Sequence, residues 1–218
     1  MKLTALFFIL AATVYAQTTP TVDLKNLRTA KGDALSSPEL PKLKLKFKKP
    51  FKYVGGHTFI LYEVARAEQH FYVDADKDGN VSRLYWVQYE GYLPSNTHTY
   101  DYSKSKQVKI GGLDFAADSS PRKYDPADAR PNSDRAKAID LLTSKGFKIA
   151  SGDVMTQRLV NMTTPDNRNE LMIIYLEVLT PTGFTAADLN TGGKAADKWP
   201  EVSAGLLDRA MKGIEIVR

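Results

Sequence analysis

The chain has 218 residues and a mass of 24.2 kDa, room for one domain of ordinary size or two small ones. A hydrophobic fraction of 43% and a charged fraction of 25% are those of a globular protein, which excludes wholesale disorder, collagen and coiled coil. Cysteine is absent, so there is no disulfide framework, thiolate zinc site, iron–sulfur cluster or cysteine nucleophile.

Residues 1–16 read as a secretory signal peptide. Lys2 gives the positive start, Leu3 to Ala12 is a nearly unbroken apolar run, and Val14-Tyr15-Ala16 offers a cleavage site before Gln17. The run is well short of the roughly 20 apolar residues of a membrane-spanning helix, and no other segment approaches that length. The expectation is a secreted or periplasmic product with no integral membrane segment in the mature chain. Residues 17–41, rich in Thr, Ser and Pro without a sustained period, read as a mobile leader, and residues 42–218 as a single domain.

The net charge of +5 is concentrated. Without Lys2 the chain has 29 basic and 25 acidic residues, or +4; six of those lysines lie between Lys42 and Lys52, so the remainder carries −2. Lys42, Lys44, Lys46 and Lys48 alternate with Leu43, Leu45 and Phe47, the period of a half-buried strand. Lysines on the open side of such a strand protect a sheet edge; adhesion to an anionic envelope component is the functional alternative, and nucleic acid is not expected as a partner.

His57 to Arg66, His70 to Ala75 and Val81 to Tyr89 are strand candidates, the last two joined by Asp76-Lys77-Asp78-Gly79-Asn80, a strong hairpin signal. Asp74, Asp76, Asp78 and Gly79 also match the first half of an EF-hand loop. Its twelfth position is Tyr85 rather than a bidentate Glu and its flanks are strands, so a metal-free acidic turn is expected. Asn80 and Asn161 head sequons that read as incidental.

Between Tyr85 and Tyr102 aromatic and polar side chains crowd together. Leu84, Trp86, Gln88 and Glu90 share one strand face, apolar at its start and polar at its end, as at the mouth of a pocket. Trp86, Gln88, Glu90, Tyr92, His98 and Tyr100 are therefore the candidate ligand contacts, with amphipathic rings to stack and Gln88 and Glu90 to orient an unknown small ligand. The competing class is a small hydrolase with His70 or His98 as general base beside Glu63, Glu90 or Asp101. A third is a structural envelope or adhesion protein. No H-E-x-x-H, G-x-S-x-G, P-loop or G-x-G-x-x-G occurs, so no metal, cofactor or catalytic residue is assigned, and binding is favoured over catalysis.

Gly111 to Asn132 reads as a long loop, and Ser133 as the N-cap of a helix that Gly146 stops. Phe147 to Ile149, Met155 to Met162 and Glu170 to Leu179 follow as strands, with Arg158 placed to face Glu177. Pro200 opens a terminal helix in which Val202, Leu206, Ala210 and Ile214 recur every four positions. The class is α+β: a mainly antiparallel β-sheet built from hairpins, packed by two amphipathic helices on one side.

Overall fold

A computed structural model describes residues 22–218; the expected signal peptide lies outside the described residues. The central layer is a seven-stranded sheet in which every neighbour is antiparallel. Its strands are β4 (Lys52–Leu61), β5 (Ala65–Ala75), β6 (Val81–Tyr92), β7 (Lys106–Ile110), β8 (Leu113–Tyr124), β9 (Gly152–Met162) and β10 (Asn169–Val178). They run in the order β4-β5-β6-β10-β9-β8-β7, so two meanders meet where β6 pairs with β10. A smaller sheet orders β1 (Thr29–Lys31), β2 (Ala34–Ser37), β3 (Leu43–Phe47) and β11 (Ile214–Val217) in that sequence. The helices are α1 (Asp134–Ser144), the single-turn α2 (Ala186–Leu189) and α3 (Trp199–Lys212). The α+β class built from antiparallel hairpins is thus observed.

The two faces of the large sheet are covered differently. On one, Tyr72, Tyr85, Val87, Ile173 and Tyr175 pack against Leu35, Leu45 and Phe47 of the small sheet and Leu206 and Ala210 of α3, forming the larger core. On the other, Phe71, Leu84, Val154 and Leu176 meet Ala138, Leu141 and Leu142 of α1. The two helices therefore lie on opposite faces rather than one side, because each supplies only a narrow apolar stripe and each sheet face needs a cover. Helix α1 sits toward β4, where Leu141 lies against Gly55, and a cavity remains between it and strands β8 to β10.

Local signals explain most elements. Ser133 caps α1 by accepting the Ala136 N–H (3.0 Å), and Gly146 takes the positive φ beyond its end. In the β5–β6 turn the Asp76 carboxylate accepts N–H groups from Asp78, Asn80 and the Asn80 amide, all within 2.9 Å.

Several expectations are corrected. Residues 22–41, read as mobile leader, carry β1 and β2, and Arg28 and Leu35 are buried. Strand β3 is interior to its sheet, flanked by β2 and β11, so its lysines mark a solvent face and not an edge. His57 to Arg66 is not one strand: Tyr62 and Glu63 both have positive φ and turn β4 into β5, which removes Glu63 from any strand face. Residues 111–132 contain most of a hairpin, with Gly111-Gly112 at positive φ as its turn. Pro121 is tolerated in β8 because β7 pairs only as far as Ala117, so the strand is outermost beyond that point. Phe147 to Ile149 contributes one bridge, Lys148 to Asn80. The terminal helix ends at Lys212, and Ile214 begins β11.

Candidate functional site

Register across four strands brings polar side chains into one row on the α1 face. His57 of β4 opposes Gln69 of β5, Gln69 opposes Gln88 of β6, and Glu90 opposes Glu170 of β10. His57 Nε2 lies 2.8 Å from Gln69 Oε1, and Gln69 Nε2 donates to Gln88 Oε1 (2.8 Å) and to the Asp134 carbonyl at the start of α1 (3.0 Å). Trp86 Nε1 donates to Gln88 Oε1 (3.1 Å), and Gln88 Nε2 donates to Glu90 Oε2 (2.6 Å). The loop after β6 closes the row: Tyr100 donates to Glu90 Oε1 (2.7 Å) and Tyr102 to Glu170 Oε2 (2.9 Å).

This is a buried carboxyl group, Glu170, beside a half-buried one, Glu90, with too few donors for two full charges. Burial, and secondarily the neighbouring Glu90, pushes Glu170 up to about 7; burial likewise raises Glu90 despite its hydrogen bonds from Tyr100 and Gln88. His57 is lowered by burial, so it is neutral at neutral pH. The row is a polar seam holding strands, helix and loop in register, and its protonation follows pH.

Beside the seam, a cleft of about 490 Å3 opens between α1, the segment leading into it, and strands β8 to β10. Leu84, Trp86, Met172, Ile174 and Leu176 form its floor, Ala138, Ile139 and Leu142 one wall, and Arg122, Arg130, Arg135 and Arg158 stand around it together with Asp118, Asp128 and Asp134. Volumes of about 300–1,000 Å3 are those of small-molecule sites.

The six candidate contacts are brought together, in different roles. Trp86 lines the cleft. Gln88 is fully buried and holds the Trp86 indole to Glu90, while Tyr92 and Tyr100 stack with centroids 4.5 Å apart outside the seam. His98 is exposed, its ring 6.2 Å from that of Tyr92. The proposed hydrolase partners separate: Glu63 and Asp101 are exposed in turns, and His70 points to the opposite sheet face from Glu90. Arg158 does not face Glu177. It pairs with Asp118 (2.7 Å) on the cleft face, whereas Glu177 takes Arg209 (2.8 Å) on the other, because they differ by an odd number of positions in register.

His70 does meet a carboxylate, Glu68, at 2.9 Å, and its Nδ1 lies 3.1 Å from the Tyr53 hydroxyl. Glu68 is wholly buried and also accepts the Leu27 and Arg28 amides and the Arg28 guanidinium (3.2 Å), itself stacked over Tyr89. Burial raises its pKa, but the His70, Leu27 and Arg28 donors and the Arg28 charge outweigh that and hold it at about 2. This arrangement is a clasp that ties residues 27 and 28 to β5.

Sequence reasoning missed Gln69, Glu170, Arg122, Arg130 and Arg135, named Tyr102 in the aromatic cluster without making it a contact, and gave Arg158 a different partner. Glu170 had a signal, an acid heading the apolar run Leu171 to Ile174; the three missed arginines, on β8, the α1 approach and α1, had none. No protein-family model matches the chain, and no curated protein or solved structure matches it significantly.

Proposed function

We infer that this is an exported small-ligand-binding module whose ligand lies in the cleft over Trp86. The observation that carries the reading is a concave site with an apolar floor, one of whose rings is fixed from behind by Gln88 and Glu90. Preorganised aromatic surface of this kind contributes affinity because little side-chain freedom is lost on binding. Gln88, Glu90 and Tyr100 support Trp86, and Tyr92 and His98 flank the outer end of the seam. The export part of the reading rests on the apolar run and cleavage site at residues 1–16. Catalysis has less support: the buried His70 and Glu68 have Tyr53 as their hydroxyl neighbour and are occupied in holding the chain.

Trp86 is also the reporter. In a Trp199→Phe background, which removes the second tryptophan on the opposite sheet face, a panel of neutral, anionic and cationic amphiphiles is titrated against Trp86 emission. Saturable change with at least one member, abolished by filling the floor with Ile174→Trp when followed by calorimetry, is expected. No saturable response from any member overturns the reading. N-terminal sequencing of the exported product should begin at or near Gln17; recovery of membrane-bound protein with Met1 intact overturns the export assignment.

A further inference from the structure

We propose that the ligand of this cleft is an anionic amphiphile, a molecule with an apolar body and one carboxylate-like head. This rests on the cleft being a ligand site. The floor at Leu84, Trp86, Met172, Ile174 and Leu176 is hydrophobic, with Thr156 its one neutral polar neighbour on β9, so the body it accepts is apolar; what remains is the sign of the head group.

The cleft has four guanidinium groups and three carboxylates, and their pairing decides the sign. Arg158 and Asp118 neutralise each other through two hydrogen bonds (2.9 and 2.7 Å). Asp134 turns its Oδ1 onto the Arg135 backbone N–H (2.7 Å) in the first turn of α1. That leaves Arg122, Arg130 and Arg135 against Asp128 and Asp134, an excess of one positive charge. Among the described residues Arg122, Arg130 and Arg135 make no ion pair. Arg122 donates to Ser120 Oγ (2.7 Å), a neutral partner, and Arg135 donates to the Asp125 carbonyl and lies over the Tyr124 ring. Arg135 lines the cleft, and its Nε is buried with no hydrogen-bond partner, so part of the guanidinium's donor capacity is unused. A buried donor without an acceptor is rare enough in native structures to ask for one. Guanidinium forks match carboxylate, phosphate and sulfonate oxygens in pairs, and the adjoining apolar floor strengthens such contacts by excluding water. A cationic head would meet a net positive rim, and a neutral one would leave three arginines without an ion-pair partner.

The test compares three probes of equal chain length, dodecanoate, dodecanol and dodecylammonium, below their aggregation concentrations, with Trp86 emission read in the Trp199→Phe protein. Dodecanoate should bind about tenfold or more tightly than the alcohol, as one or two charge-assisted hydrogen bonds imply, and the ammonium most weakly. Combined Arg122→Gln and Arg130→Gln, both at exposed positions, should remove most of the acid's advantage over the alcohol, and added salt should narrow it. Equal binding of acid and alcohol overturns the anionic assignment while the cleft remains a ligand site, and an advantage that survives loss of both arginines overturns their assignment as the groups that hold the head. Absence of saturable binding by all three overturns both.

Discussion

Replacing Glu170 by Gln should make the protein more stable at alkaline pH and about 1 kcal/mol less stable in acid. Glu170 is 4% exposed, opposes Glu90 across β6 and β10, and holds its proton up to about pH 7 against an ordinary 4.5. For a carboxyl raised on folding, the unfolded chain ionises first as pH rises, so stability is full below 4.5, declines from 4.5 to 7 and is level above. At about 1.4 kcal/mol per pH unit that window represents about 3 kcal/mol. The amide of Gln keeps the shape of the protonated acid, accepts the Tyr102 hydroxyl and can donate to Glu90, so the variant is spared the decline. Allowing about 1 kcal/mol for imperfect amide pairing, the gain at pH 8 is about 2 kcal/mol, or roughly 4–8 °C in melting temperature for a protein of this size. Glu68, depressed to about 2, moves stability only below pH 4.5, and His57 acts below its ordinary 6.5; both are common to the two proteins and cancel in the comparison. Urea unfolding followed by circular dichroism at pH 4.5 and pH 8 gives the difference directly. A variant less stable than the parent at pH 8, or a difference that does not change with pH, would mean that Glu170 is ionised and well paired, contrary to its burial.

Glu68→Ala strands the buried Arg28 without its partner and should destabilise by about 3–5 kcal/mol, with new protease cleavage within residues 22–41; adding Arg28→Met should recover part of the loss. Gly213→Ala should destabilise by about 1–3 kcal/mol in thermal melts, because its methyl group would meet the Tyr85 hydroxyl that donates to the Ala210 carbonyl (2.7 Å). Asp76→Ala should show only a small turn effect, and millimolar calcium or chelator should leave the melting temperature of the parent unmoved, since the Asp76 oxygens already serve three N–H donors. A rise of several degrees with calcium, abolished by Asp76→Ala, would reveal a site there.

Local chemistry was legible and long-range pairing was not. Ser133, Gly146 and the Asp-Gly turn announce their structures because each acts on its immediate backbone. The shared face of Trp86, Gln88 and Glu90 followed from strand periodicity alone. What brings Gln69 beside them is the register of the β5–β6 hairpin, and what brings Glu170 is the pairing of β6 with β10, a strand far away in sequence; a slip of one residue in either would have reversed the outcome. Strand β8 was misread because Leu113 to Tyr124 has few β-branched residues and a proline, and gains its order from β9. Residues 22–41 were misread for a similar reason: their stability comes from burying Leu35 and satisfying Glu68, neither of which has a local pattern.

The small sheet has a consequence in time. Strand β3 is hydrogen-bonded on one side to β2, a few residues before it, and on the other to β11, with Phe47 opposite Ile214. A chain that emerges from its N-terminal end can make the first pairing early, but the second must wait until residues 214–217 have appeared. Until then β3 keeps an open row of backbone donors and acceptors beside Leu43, Leu45 and Phe47, an adhesive edge of the kind that pairs with strangers. Contacts of such sequence separation form slowly, since a long loop must close before they are rewarded. The lysines in and beside β3, Lys42, Lys44, Lys46 and Lys48, set like charges along that open strand, and like charges oppose the pairing of one copy with another.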